Sequence, residues 1–130
     1  MGRAKYLIDT NAAIDYIGEI LPDKALNELD SIFDGKFYFS IINKIELLGF
    51  KNISADEEQN FYKLINASTI FNLTDDIVTK TIEVRKQHKI KLPDAIIAAT
   101  ALTNNLIIIT RNTKDIEKIK GIKILNPYYL

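Results

Sequence analysis

With 130 residues, no cysteine, a single histidine and 17 basic against 17 acidic side chains, the chain excludes a disulfide scaffold, a zinc ribbon, a thiol nucleophile and a metal cage built on histidine. At 47% apolar and 26% charged residues, it has the composition of one folded domain spanning residues 1–130 rather than a disordered segment. Any metal it binds must be held by oxygen.

Reading from the N-terminus, only Tyr6-Leu7-Ile8 separates Lys5 from Asp9, which is too short an apolar stretch for a secretory signal. The longer run from Ala95 to Leu102 falls short of the roughly 20 residues that span a bilayer. The expectation is a soluble cytoplasmic protein that does not enter a membrane. Short runs rich in Ile, Phe and Tyr at Ala4–Ile8, Phe37–Phe39, Thr69–Leu73, Leu106–Ile109 and Ile122–Leu125 read as strands. Helical periodicity fills the intervals at Ala12–Ile17, Asp23–Phe33, Ile41–Phe50, Ala55–Ala67, Asp75–His88, Asp94–Asn104 and Thr113–Ile119. Strands alternating with helices predict an α/β fold with a parallel sheet.

Boundary chemistry supports the same division. Ser54, Thr74 and Asn112 stand where an N-cap offers a side-chain oxygen to free backbone N–H groups. Asn104-Asn105 can take the left-handed conformation that ends a helix. Asp34-Gly35 and Gly121 punctuate strand entries, and Leu92, before Pro93, is expected to leave the helical region ahead of the next helix. That next helix, Asp-Ala-Ile-Ile-Ala-Ala-Thr-Ala-Leu from Asp94, is apolar nearly all round and must be buried, with Asp94 at its solvent-facing tip.

Charge is unevenly distributed: residues 1–79 carry a net −6 and residues 80–130 a net +6. Ligands of open parallel sheets bind beyond the carboxyl ends of the strands, and acids follow several of those ends. Asp9 follows the first strand, Glu46 lies on the helix after the second, Asp94 opens the helix before the fourth, and Asp115 follows it. Each has an ordinary role open to it: Asp9 as a cap, Asp94 as a complement to a helix dipole, Asp115 paired with Asn112. Glu46, among Ile42, Ile45, Leu47 and Phe50, is expected in a partly apolar setting where its charge needs a partner. If the first and fourth strands are neighbours, all four carboxylates converge. Repulsion between them then calls for a cation, and an all-oxygen set suits magnesium or manganese. The chemistry of such a site is metal-assisted hydrolysis, with phosphodiesters the fitting substrate; one ion or two remains open.

The segments Leu7-Ile8-Asp9-Thr10-Asn11, Ile45-Glu46-Leu47, Leu92-Pro93-Asp94-Ala95-Ile96-Ile97-Ala98-Ala99 and Thr110-Arg111-Asn112-Thr113-Lys114-Asp115 resemble a PIN-domain nuclease, and most closely the VapC-type toxins. The resemblance implies a three-layer α/β/α sandwich with a central five-stranded parallel sheet in the order 3-2-1-4-5. It also implies an endoribonuclease requiring Mg2+ or Mn2+, with Asp9, Glu46, Asp94 and Asp115 as the acidic constellation and metal ligands. Thr10, Asn11, Thr110 and Asn112 would support them. Where the family usually has Phe after the last acid, this chain has Ile116. A homodimer and a cognate antitoxin lying across the acidic groove are implied as partners, with RNA as substrate. Tyr16, Ile17, Ile20 and Leu21 could supply an apolar patch for a partner or simply pack inward.

The basic run Arg85-Lys86-Gln87-His88-Lys89-Ile90-Lys91 adjoins the acids. It can grip an RNA backbone or serve the negative pole of the preceding helix. Two other readings compete. A receiver-type phosphoacceptor domain would need paired acids after the first strand, where Thr10 follows Asp9, and an Asp closing the third, where Leu73-Thr74 intervene. A non-catalytic RNA-binding module of the same fold would not need four acids. Dinucleotide binding is excluded because the five glycines never approach the G-x-G-x-x-G spacing.

Overall fold

A computed structural model describes residues 4–129. In chain order it contains β1 (Tyr6–Ile8), α1 (Thr10–Ile17), α2 (Asp23–Asp34), β2 (Tyr38–Ser40), α3 (Ile41–Leu48), α4 (Ala55–Ala67), β3 (Thr69–Phe71), α5 (Asp75–Gln87), α6 (Leu92–Asn104), β4 (Ile107–Ile109) and β5 (Lys123–Leu125), closed by a 3-10 turn at Pro127–Tyr129. All strand pairings are parallel and the sheet order is β3-β2-β1-β4-β5, as the resemblance implied.

The strands are only three residues long, yet their alternation builds a two-sided core. Because successive side chains of a strand point to opposite faces, Leu7, Tyr38 and Ile108 join one apolar cluster with Val84 of α5 and Ala98 of α6. Their neighbours Ile8, Phe39 and Ile109 join the other, with Ala12 of α1, Leu29 of α2, Leu47 of α3 and Phe61 of α4. The sheet is thus covered on both faces, giving the three-layer sandwich. Tyr16, Phe33, Phe37 and Phe39 stack edge to face in sequence across the second cluster, with ring centroids 4.6, 4.8 and 6.0 Å apart.

The near-uniform apolarity of α6 is explained by its place: seven consecutive residues, Ala95 to Ala101, are buried between the sheet and α5. Two hydroxyls go in with this pair of helices, and each donates to the carbonyl four residues back, Thr81 to Ile77 and Thr100 to Ile96, both at 2.7 Å. Neither is left unpaired, so burying them is tolerated.

Several boundaries fall as the sequence predicts. Ser54 and Glu57 form a reciprocal capping box at the start of α4, Thr74 caps α5, and Asn105 (φ 55) ends α6 in the left-handed region. Others differ. Leu92 does not leave the helical region: it is the first residue of α6, Pro93 is the second, and the extended residue is Lys91 (ψ 148). Proline is tolerated there because the N–H groups of a helix's first turn have no intrahelical partner. Thr113–Ile119 is a set of hydrogen-bonded turns rather than a helix. The N–H groups of Ile116 and Glu117 both reach the Thr113 carbonyl, at 3.1 and 2.8 Å, and Ile119 reaches Ile116 at 3.1 Å. Ile116 and Ile119 are buried, so the apolar period is real, but Gly121 at φ 86 turns the chain into β5 before a costly helical nucleus can be extended. Asn112 accordingly caps no helix.

Among the described residues, no helix is long and apolar enough to cross a membrane.

Candidate functional site

The chain runs outward from β1 through β2 to β3 and then returns past β1 to lay down β4 and β5. The point where strand order reverses therefore lies between the carboxyl ends of β1 and β4. Asp9 leaves β1 here, its N–H bonded to the Ile109 carbonyl at 3.0 Å. It does cap α1, and it does more than cap. Its Oδ1 accepts from the Thr10 N–H at 2.9 Å, while Oδ2 accepts from the Thr110 hydroxyl at 2.8 Å. The Asn112 N–H donates in turn to Thr110 Oγ1 at 3.0 Å. Both oxygens of Asp9 are thereby oriented by groups from two adjacent strand ends. Asn112 contributes its main chain, and its side chain is exposed.

Glu46 is exposed, contrary to the expectation of a partly apolar setting. The inward face of α3 is made by Asn43 and Leu47, one turn apart, which leaves Glu46 on the solvent side and Ile45 62% exposed. Its partner is Thr10, whose hydroxyl donates to Oε1 at 2.7 Å. Thr10 Oγ1 accepts from Asn43 Nδ2 at 3.1 Å, and Asn43 Oδ1 accepts from the Ser40 N–H at 2.8 Å. Asn43 is completely buried and was missed in the sequence. The signal was present in Ser40-Ile41-Ile42-Asn43, a capping box that opens α3 and places Asn43 one turn before Glu46.

Asp94 lies in the first turn of α6, half-buried, where the helix dipole favours its charge. Asp115 is exposed in the turns after β4. The four acids feel one another. Burial pushes the Asp9 carboxyl above the ordinary 3.8; the hydrogen bonds from Thr110 and Thr10 pull it back, and the charges of Asp94 and Glu46 push it further up. Burial also raises Asp94, as do Asp115 and Glu46, with Lys91 opposing them. Asp9, Glu46 and Asp94 thus repel pairwise, and Asp115 extends the group through Asp94. Among the described residues no three acids stand at ligating distance from a common point.

A second unanticipated cluster braces the same edge. Asp15 of α1 is buried, with Arg111 Nη1 3.1 Å from its Oδ2 and the Tyr128 hydroxyl donating to the same oxygen. A buried carboxylate is tolerable only with such partners. Its effect is to tie the residue after Thr110 and the C-terminal 3-10 turn onto the helix that Asp9 caps. Of the apolar residues around Gly18, Leu21 is buried and Ile20 is 63% exposed. A cavity of about 490 Å3 opens at the amino ends of β1 and β2, by Lys5, Tyr6, Lys36 and Tyr38.

Comparison with known proteins gives a consistent picture. The family model described as the PIN domain matches residues 6–122. Among solved structures, the chain is similar to a protein of a toxin–antitoxin complex from Klebsiella pneumoniae, at 33% identity and a TM-score of 0.76, covering 95% of this chain and 98% of the other. It is similar at 25% identity and a TM-score of 0.76 to a chain of VapBC2 from Rickettsia felis, solved bound to a DNA fragment from their promoter, covering 94% and 98%. Similarity to a chain of FitAcB from Neisseria gonorrhoeae is also at 25% identity and a TM-score of 0.76, covering 96% and 99%. No curated protein sequence matches the chain.

Proposed function

The chain belongs to the PIN domain family, and from that premise we propose that it is a metal-dependent endoribonuclease acting as the toxin of a toxin–antitoxin pair. The observation that carries this reading is the gathering of Asp9, Glu46 and Asp94, with Asp115 beside Asp94, at the switch point of the sheet, where burial first and the neighbouring acids second raise the Asp9 and Asp94 carboxyls. Like charges so placed destabilise the fold unless a cation offsets them, and an arrangement costly to stability and unrelated to packing points to function.

The donor set fits a hard divalent cation. It is entirely carboxylate oxygen, on a chain with no cysteine and one histidine, which suits Mg2+ or Mn2+. Asp9 and Asp94, half-buried, would hold the ion, with Asp115 and Glu46 completing the set. When bound, such an ion lowers the pKa of water and offsets charge on a phosphodiester. The chain's own residues do the rest. Thr110 and the Thr10 N–H fix the direction of both Asp9 oxygens. Thr10, itself held by Asn43, fixes Glu46 through Oε1 and leaves Oε2 to complete the ligand set.

A cognate antitoxin as partner is supported by the toxin–antitoxin complexes among the similar structures. A homodimer acting in the cytoplasm belongs to the same reading. The test is incubation of the purified protein with single-stranded and structured RNAs. Cleavage with manganese or magnesium and none with a chelator is the expected result. RNA binding without cleavage under any metal would leave a non-catalytic RNA-binding module instead.

A further inference from the structure

The basic run before α6 divides into two pairs with different surroundings. Arg85 and Lys86 lie in the last turn of α5, where cations complement the negative pole of the helix. Lys89 and Lys91 have no such explanation. They belong to the linker between α5 and α6, which is extended at both ends, His88 (φ −136, ψ 146) and Lys91 (φ −67, ψ 148). Ile90 is buried in the core between them, and both lysines are exposed. Lys91 is moreover the N-cap of α6, the positive pole of that helix, where a cation is disfavoured. Among the described residues the ion pairs are Lys80 with Glu83 and Arg111 with Asp15, so neither lysine is held by a carboxylate within that range.

What the two lysines do share is a place. With Ile90 and Asp115 they line an open depression of about 380 Å3. Asp115 acts on Asp94, and so does Lys91, so the depression borders the acidic site. Arg111, in the loop after β4, is committed to buried Asp15. We propose that Lys89 and Lys91 form a subsite for a backbone phosphate of the RNA strand, next to the phosphate that is cleaved. The identity of the polyanion rests on the nuclease reading above; the placement of the cations does not. Two ammonium groups on an anchored linker give the strand a fixed point beside acids that would otherwise repel it.

The experiment measures binding of a fluorescent oligouridylate to the full chain, in chelator to prevent turnover, over a range of salt. K89Q/K91Q is expected to weaken binding roughly threefold to tenfold. It should also make the dependence of log K on log salt shallower by about 1.4, for two contacts at about 0.7 each on a single strand. K89R/K91R should restore both, and R85Q/K86Q should change neither, with thermal melts showing each variant folded. Unchanged affinity and slope in K89Q/K91Q, an equal loss in R85Q/K86Q, or no binding by the native chain would overturn the subsite. Binding that depends on both lysines, in a protein that cleaves no RNA with manganese, would keep the subsite and remove the nuclease. Cleavage whose KM ignores K89Q/K91Q would do the reverse.

Discussion

Asp9→Asn and Asp94→Asn are each expected to lower metal-dependent RNA cleavage by at least about a hundredfold, because even the outer partners of metal ligands are worth about ten- to a hundredfold. Both substitutions nearly preserve shape. At residue 9 an amide still caps α1, since Asn and Asp are equally good there, and its oxygen can still accept from the Thr10 N–H. What disappears is the negative charge that Asp9 adds to Glu46 and Asp94. Cleavage rates and thermal melts on the same preparations check this. A cooperative melt with near-native cleavage in either variant would show that the charge is not required.

The second large effect concerns stability in the absence of metal. Asp9 and Asp94 have carboxyl groups raised above 3.8 in the folded protein. Between that value and the folded one, the native state binds more protons than the unfolded chain, so stability falls as pH rises through this window. Both groups therefore favour the fold most below their unfolded pKa and least at neutral pH. It follows that Asp9→Asn, in chelator, should be more stable than the native sequence at pH 7, and the advantage should vanish as the pH is brought down to about 4. Urea unfolding of the two proteins at several pH values measures the difference directly. A gap that stays constant with pH, or a less stable variant at neutral pH, would mean that burial and the neighbouring acids do not disfavour the Asp9 charge. The gain in stability and the loss of cleavage would then be two sides of one cost, as expected where like charges are assembled for function.

The alternation of strands and helices was legible because each element carries its own signal. The apolar triplets of the strands, the capping box at Ser54 and the small-residue run of α6 are local features. Thr113–Ile119 misled because two buried isoleucines three residues apart fit a single turn as well as a helix. Glu46 misled for a related reason: its apolar sequence neighbours include Ile45, which the fold leaves exposed. The acids themselves could be picked out from their positions after strand ends. Their supports could not, since Thr110 reaches Asp9 across 101 residues and Tyr128 reaches Asp15 across 113. Local spacing carries no record of such pairings. The buried Asp15 and Asn43 became intelligible only once Arg111, Tyr128 and Thr10 stood beside them.

The shared claim behind cleavage, pH response and strand placement is that the carboxylates after β1, on α3, on α6 and in the turns after β4 serve a common divalent-metal site. Calorimetric titration of manganese into the native chain and into Asp9→Asn, side by side at neutral pH, tests it most directly. Saturable binding to the native protein that is lost or greatly weakened in Asp9→Asn is the predicted result. Equal binding to both proteins, or none to the native chain at millimolar manganese, would contradict it.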